Sequence, residues 1–365
     1  MGYMPGMTQQ FSSKLQNKID ILKARRTAVK LGNVEFSSPL LLAPMSAICN
    51  APYRLLMEDL GAGGTVSELI SCHGINYGNA RTRHMLKIDP REKHMGLQLF
   101  GEDADAMAKA ATVGQEFGPK FVDINMGCPV RKVVTKGGGS ALMKEPAKLG
   151  ELFSKVKKAI DVPLTIKIRT GWDSDSINAP EVIRIAKEEG VEFVAVHGRT
   201  RVQQYQGFAN WTLLESFAEL APLPIIGNGD LHTAESAIER LKVTRCQALM
   251  LGRGPLRDPF IFLNAFREIG DDISFDGADY WEIIQRLYDY QREYVWHEKT
   301  LSVQMRKFIV WMSAGFPGAS HFRRDLFSYK TTDEVMRQTE TFFCDVKESD
   351  KSIDHSQSFM AGGHG

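Results

Sequence analysis

The chain has 365 residues, 43% apolar and 24% charged, a balance that fits a folded globular protein and excludes disordered, collagen-like and membrane-spanning classes. Apolar runs such as Pro39–Met45 and Gln247–Leu251 fall far short of the roughly 18 residues a spanning helix needs. A formal charge of +1 excludes a uniformly basic nucleic-acid coat, yet the charge is uneven: residues 1–31 hold six Lys or Arg against Asp20 alone, and residues 299–330 hold six against Asp325. Two basic islands sit on an acidic body.

In chain order, residues 1–30 form a basic extension. From 31 to 270, short β-rich segments begin near Leu40, Gly64, His94, Phe121, Leu164, Phe193, Pro224 and Ala248, a spacing of about 30 residues that matches one βα repeat. Amphipathic stretches Asp103–Phe117, Pro146–Ile160 and Pro180–Glu189 fill the gaps, each opening on the acid or proline that starts helices. Eight such units predict an α/β fold, a (β/α)8 TIM barrel, ahead of an open doubly wound sheet. Residues 271–345 change pattern: Ile283, Leu287, Tyr290 and Val295 carry helical periodicity without strand alternation, predicting a small C-terminal all-helical domain. Residues 346–365, rich in Ser, Gly and His, read as a flexible tail.

The cysteines are odd in number and lack any C-x-x-C pair, so neither a disulfide framework nor a metal site is expected, and a reducing, cytoplasmic setting fits. Cys72, Cys246 and Cys344 read as small core residues, and Cys49 lies in a loop without an assigned role. Cys128 differs, because Pro129 stops the strand and the following segment Val130–Ser140 reads as a mobile loop at the barrel mouth.

Barrel active sites lie at the C-terminal strand ends, which here carry Pro44 and Met45, Glu68, Gln98, Asn125 with Cys128, Lys167 with Arg169, His197 with Arg199, Asn228 with Asp230, and Gly252 with Arg253. Alternation along Leu164–Arg169 turns Lys167 and Arg169 toward the mouth. Two inward cations cost several kcal/mol to desolvate unless an anion meets them. The turns Gly227-Asn228-Gly229-Asp230 and Gly252-Arg253-Gly254 supply backbone N–H groups where barrels commonly hold phosphate, with Arg253 as counter-charge. Glu68 suits a base or a structural hydrogen bond equally. His73 and His94 have no ligand-spaced partners, while Trp172, Trp211 and Trp311 read as packing residues. Neither G-x-G-x-x-G nor G-x-x-x-x-G-K-[ST] occurs, so dinucleotide and triphosphate folds lose their best support.

The series Ala43-Pro44-Met45, Gln98-Leu99-Phe100-Gly101, Asp123 to Pro129, Lys167 to Trp172, His197-Gly198-Arg199-Thr200, Asn228-Gly229-Asp230 and Gly252-Arg253 resembles, in the same order, the motifs of the tRNA-dihydrouridine synthases. The similarity runs from about residue 31 to 345 and is closest to the bacterial B-type branch, with an arginine pair after Phe322. The resemblance implies bound FMN, NADPH as reductant, and reduction of uridines in tRNA to 5,6-dihydrouridine by hydride to C6 and a proton from Cys128 to C5. It further implies that Pro44, Met45, Ser46 and Gln98 contact the isoalloxazine, Lys167 and His197 its polar edge, and Asn228, Gly229, Asp230, Gly252 and Arg253 the ribityl phosphate. Asn125, Arg169 and Arg199 would face substrate at the mouth, and Arg306, Lys307, Arg323 and Arg324 would meet tRNA phosphates. Neither a metal nor a membrane enters this reading. Another FMN barrel enzyme would account for strands four to eight but not for the basic helical region, and a non-enzymatic RNA-binding barrel would not account for Gln98, Cys128 and Lys167 together.

Overall fold

The computed structural model describes residues 10–344, 346–354 and 359; the ends of the basic extension and of the tail fall outside them. Of the described residues, the larger of two compact units is built on Thr27–Arg54 and Ala62–Gly252, and the smaller on those up to Arg26, Leu55–Gly61 and those from Arg253 to Asp354.

In the larger unit a hairpin of β1 (Val29–Leu31) and β2 (Val34–Phe36) precedes β3 (Leu40–Leu42), β4 (Thr65–Val66), β5 (Ile70–Ser71), β6 (Met95–Phe100), β7 (Phe121–Met126), β8 (Leu164–Arg169), β9 (Val194–His197), β10 (Ile225–Asn228) and β11 (Ala248–Leu251). The order β3-β11-β10-β9-β8-β7-β6-β4 is parallel throughout. Backbone bonds from Gly63 N to Leu40 O and Leu42 N to Gly64 O, 2.8 and 2.9 Å, bring the ends of that series together. The eight-strand barrel expected from the βα spacing is therefore present, with each observed strand starting within about a residue of its predicted start. The expected helices appear as Ala104–Gln115, capped by the Asp103 side chain, Leu149–Ala159 behind a short 3-10 turn at Pro146–Lys148, and Ala179–Glu188 with Pro180 in its first turn.

The hairpin, which sequence patterning did not predict, seals the N-terminal end of the barrel. Phe36 meets Phe121 and Phe193 edge to face at centroid distances of 5.9 Å, and those two meet each other at 5.4 Å. Above this plug the inward positions are Leu41, Ala195, Ile226, Ala248 and Met250, so the lower half is apolar and dry. Gly96 has to be glycine here, since a Cβ would stand 2.1 Å from the Phe121 ring. Strand alternation then puts Asp123 and Asn125 of β7, and Thr165, Lys167 and Arg169 of β8, on the inner face toward the opposite end.

The smaller unit is helical. Its main elements are Ser13–Ala24, Gly277–Tyr294, Glu298–Met312, Ala319–Leu326 and Thr332–Phe343. Ile283, Leu287 and Tyr290 are buried along one stripe as their periodicity requires. Ser13–Ala24 joins this unit: Lys18 forms a 2.6 Å ion pair with Asp279, and Arg25 pairs with Asp271. The segment after the last long helix is tied down as well. Ser352 N donates to Gly315 O at 2.9 Å, and the buried Lys351 ammonium donates to Tyr280 Oη at 2.8 Å.

Two expectations are corrected. Cys344, expected in a core, is exposed: it caps the helix Thr332–Phe343, whose buried stripe of Val335, Thr339 and Phe343 leaves the next position facing out. Residues 131–134, expected within a loop, form a short helix whose N–H groups bond back to Val130 O.

Candidate active site

Side chains from adjacent strands meet at the C-terminal end of the barrel because register places them level. Gln98 lies opposite Asp123, Asp123 opposite Thr165, Asn125 opposite Lys167, and His197 between Arg169 and Asn228. Two hydrogen-bonded groups result. In the first, Gln98 Nε2 donates to Asp123 Oδ2 at 2.7 Å and Asn125 Nδ2 donates to Gln98 Oε1 at 2.9 Å. Asn125 Oδ1 accepts from Cys128 N at 2.9 Å. In the second, Asn228 Nδ2 donates to Met250 O at 2.6 Å, which turns its Oδ1 to accept from Lys167 Nζ at 3.1 Å and His197 Nδ1 at 3.0 Å. That bond also assigns the His197 tautomer: Nδ1 carries the proton, and Nε2 accepts from Arg199 Nη1 at 3.3 Å.

The electrostatics follow from burial. Desolvation, then Arg169 and Lys167, push the His197 imidazolium well below the usual histidine range, so the ring is neutral. Lys167 is pushed down to about 8 by burial and by Arg169, and Asp123 is pushed up to about 6 by burial despite bonds from Gln98 and Thr165. Burial raises the Cys128 thiol, outweighing the Val130 N–H and Arg169, which pull it down. At neutral pH the site thus offers a protonated thiol, a neutral imidazole and a buried ammonium.

Arg169 and Arg199, expected to face substrate, are almost fully buried and direct most of their bonds to the protein. Arg169 donates to Gly127 O, Thr200 O and Gln204 O, each at 2.8 Å. Arg199 donates to Gln206 O and Gly207 O and forms a 2.8 Å ion pair with Asp230. Together they shape residues 200–207 and present Tyr205 near the His197 ring, with 6.2 Å between centroids. Tyr205, Asp123 and Thr165 are site residues that strand-end reading passed over. Thr165 and Asp123 precede the strand ends, and Tyr205 sits in a loop without regular pattern. Glu68 accepts from Ala47 N at 2.5 Å, holding the turn after β3 in which Ala47 takes a left-handed backbone, φ 59°.

Among the expected flavin contacts, Gly252 and Met45 are neighbours: a Cβ on Gly252 would stand 3.8 Å from Met45 Sδ. Gly229 has φ +134°, and its Cα faces His197 Nε2 and the Ala209 methyl. Among the described residues the N–H groups of Gly229 and Gly252 have no protein acceptor, and Gly229 is buried. An unpaired buried N–H is costly, so the Gly229 N–H, near His197, fits a bound oxyanion, and with half-buried Gly252 the residues present suit the phosphate of a flavin mononucleotide. Pro44 and Ser46 lie in the same turn as Met45.

Arg253 opens the smaller unit and caps the short helix Gly254–Arg257. Within that unit Arg253 and Arg323 both act electrostatically on Arg257. Arg306 donates to Tyr329 O at 2.5 Å, Lys307 lies 5.1 Å over the Trp311 ring, Arg323 bonds Ala319 O, and the exposed Arg324 pairs with Asp325.

The dihydrouridine synthase family model matches residues 41–348. A probable tRNA-dihydrouridine synthase of Rickettsia prowazekii is 34% identical over 330 residues, 88% of this chain and 100% of the relative. The tRNA-dihydrouridine synthase B of Pseudomonas aeruginosa is 32% identical over 321 residues, 87% and 97% of the two chains. Among solved structures, a 2-naphthoyl-CoA reductase complex superposes with a TM-score of 0.53 at 14% identity, over 75% of this chain and 59% of that one; this likeness concerns the fold alone.

Proposed function

This chain belongs to the dihydrouridine synthase family, and on that premise we propose that the enzyme reduces particular uridines of tRNA to 5,6-dihydrouridine, with FMN as its flavin and NADPH as its reductant. The observation that carries the reading is the Cys128 thiol, half-buried at the strand-end mouth on a turn that Asn125 holds, and kept protonated by that burial. Gly229, Gly252 and, next in the chain, Arg253 would hold the phosphate, and Asn228 and Asp230 would shape its turn. Lys167, neutral His197 and Gln98 would meet the polar edge of the ring system, and Pro44, Met45 and Ser46 would pack beside it. Reduced flavin, when bound, supplies the hydride taken up at uracil C6.

The chain's own groups handle the remainder. As negative charge builds at C5 and O4, the Cys128 S–H bond breaks and its proton goes to C5, leaving a thiolate that solvent reprotonates. Arg169 draws the thiolate down in energy from close range. Asn125, bonded to both Gln98 and the Cys128 turn, stands at the same edge, and Tyr205 offers an aromatic face for the base. His197 is a poor substitute for the thiol as acid, since its ring is neutral and a neutral imidazole N–H is a far weaker acid than a thiol. Uracil has to leave the tRNA stack to reach this position, at a cost of roughly a few kcal/mol. Backbone contacts elsewhere offset that cost, and Arg306, Lys307, Arg323 and Arg324 supply such contacts by phosphate neutralisation. A B-type assignment accords with the relative of that name, and a cytoplasmic location with the cysteine pattern.

The test is mass spectrometry of tRNA digests from a strain lacking the gene, before and after treatment with purified enzyme, FMN and NADPH. Gain of two hydrogens at a defined uridine is expected, and FMN rather than FAD should be released on heating. Unmodified tRNA, or release of FAD, refutes the assignment.

A further inference from the structure

Asp123 carries no part of the chemistry above, yet it is buried in the middle of β7 with both carboxylate oxygens engaged. Oδ1 accepts from the Thr165 hydroxyl at 2.7 Å, and Oδ2 accepts from Gln98 Nε2 at 2.7 Å. The consequences run in one direction. A carboxylate can only accept, so Gln98 has to turn its amide nitrogen toward Asp123 and its oxygen toward Asn125. That oxygen accepts from Asn125 Nδ2 at 2.9 Å, which leaves Asn125 Oδ1 to accept from the backbone N–H of Cys128 at 2.9 Å and of Gly127 at 3.3 Å. Gln98 and Asn125 are nearly symmetric in shape and would fit either way round. Asp123 at one end and the backbone N–H groups of Gly127 and Cys128 at the other are the members that cannot reverse, so the two amides are held from both sides. If Gln98 turned over, its amide would face Asn125, and Asn125 would present an N–H to the Cys128 N–H.

We propose that Asp123 is a positioning residue for proton delivery: through Gln98 and Asn125 it sets the orientation of the turn that carries Cys128. The inference rests on the reading of Cys128 as the proton donor, but it concerns the turn itself, so the two can fail separately. It also differs from a role for the Asp123 charge. In Asp123→Asn the new carbonyl can accept from Gln98 while the new amide donates to Thr165, whose hydroxyl has Val122 O as an alternative acceptor at 3.5 Å. The direction of the series survives loss of the charge. In Asp123→Leu it does not survive.

The experiment is site-resolved alkylation by iodoacetamide of the purified holoenzyme, read by peptide mass spectrometry at Cys128 with exposed Cys344 as the internal standard. Asp123→Leu should raise Cys128 alkylation about fivefold or more, the scale of losing a hydrogen bond that holds a turn closed, with Cys344 unchanged, and single-turnover oxidation of the reduced enzyme by tRNA should slow in parallel. Asp123→Asn should stay within about twofold of the parent in both measurements, since its series keeps the same bonds. Gln98→Leu, which cuts the next link, should reproduce the alkylation increase and serves if Asp123→Leu does not fold. Parent-like alkylation in the leucine variants overturns the proposal, as does an Asp123→Asn enzyme that behaves like Asp123→Leu. Should Cys128→Ala retain full uridine reduction while the alkylation pattern holds, the proton-donor reading falls and the orientation of the turn stands.

Discussion

Replacing Cys128 by alanine removes one proton and little else. The side chain is partly covered, burial raises its thiol above the ordinary range, and near neutral pH such a thiol is mostly protonated. The backbone of the residue is held independently of its side chain: Asn125 Oδ1 takes its N–H, while the Ser140 N–H and hydroxyl donate to its carbonyl at 3.1 and 2.9 Å. Cys128→Ala should therefore keep its fold, its FMN and the rate of flavin reduction by NADPH. The uridine step should fall by about 10²–10⁴, the usual worth of a positioned acid, or about 3–5 kcal/mol of barrel-mouth stabilisation. Cys128→Ser should fall nearly as far, because an aliphatic hydroxyl is a much weaker acid of similar size. Pre-reduced enzyme mixed with tRNA in a stopped-flow flavin-absorbance assay isolates the step. The rate in the parent should also fall as pH rises through the thiol's elevated pKa, a limb that alanine abolishes. A parent-like rate in Cys128→Ala refutes the reasoning, and water would then have to deliver the proton, since the neutral His197 ring is a far weaker acid than a thiol.

Three further outcomes are expected. Burial raises the Asp230 carboxyl, but bonds from His232 and Ala209 N–H and the Arg199 guanidinium outweigh it and hold the pKa well below the usual range. Its stabilisation is therefore complete above the ordinary value of about 4 and is lost as pH falls; Asp230→Asn, which strands a buried arginine, should cost about 3–5 kcal/mol in urea unfolding, and a loss under about 1 kcal/mol would contradict the pairing. Lys167, at about 8, is charged at neutral pH and loses its charge above, so FMN affinity measured by fluorescence titration should decline as pH rises through 8, and Lys167→Arg should move that decline upward; a flat profile in the parent would remove Lys167 from the flavin contacts. Arg323→Ala and Arg324→Ala should each reduce the log–log salt slope of tRNA binding by about 0.7–0.9 if each meets a phosphate, and an unaltered slope would mark both as solvated helix-face residues.

The barrel was readable because its signal repeats. Each strand pairs a short β-rich run with a polar or glycine end, and a helix start follows at a fixed distance. The hairpin at 29–36 escaped because it occurs once and is short, and its packing role depends on Phe121 and Phe193, which lie far away in sequence. The helix Ser13–Ala24 escaped for a related reason. Its charges suggested a basic arm, whereas Lys18 and Arg25 are paired with acids about 250 positions downstream, and no local pattern announces such partners.

The site divides along the same line. Strand alternation alone points Gln98, Asn125, Lys167, His197 and Asn228 inward, and the structure brings them into two bonded groups. What alternation cannot convey is which polar neighbour consumes each donor. Lys167 and Arg169 share one face in the sequence, yet only Lys167 is aimed across the barrel, while Arg169 is turned to the carbonyls of the 200–204 loop. The expectation of an anion facing two inward cations thus narrows to the single ammonium of Lys167, held toward Asn228.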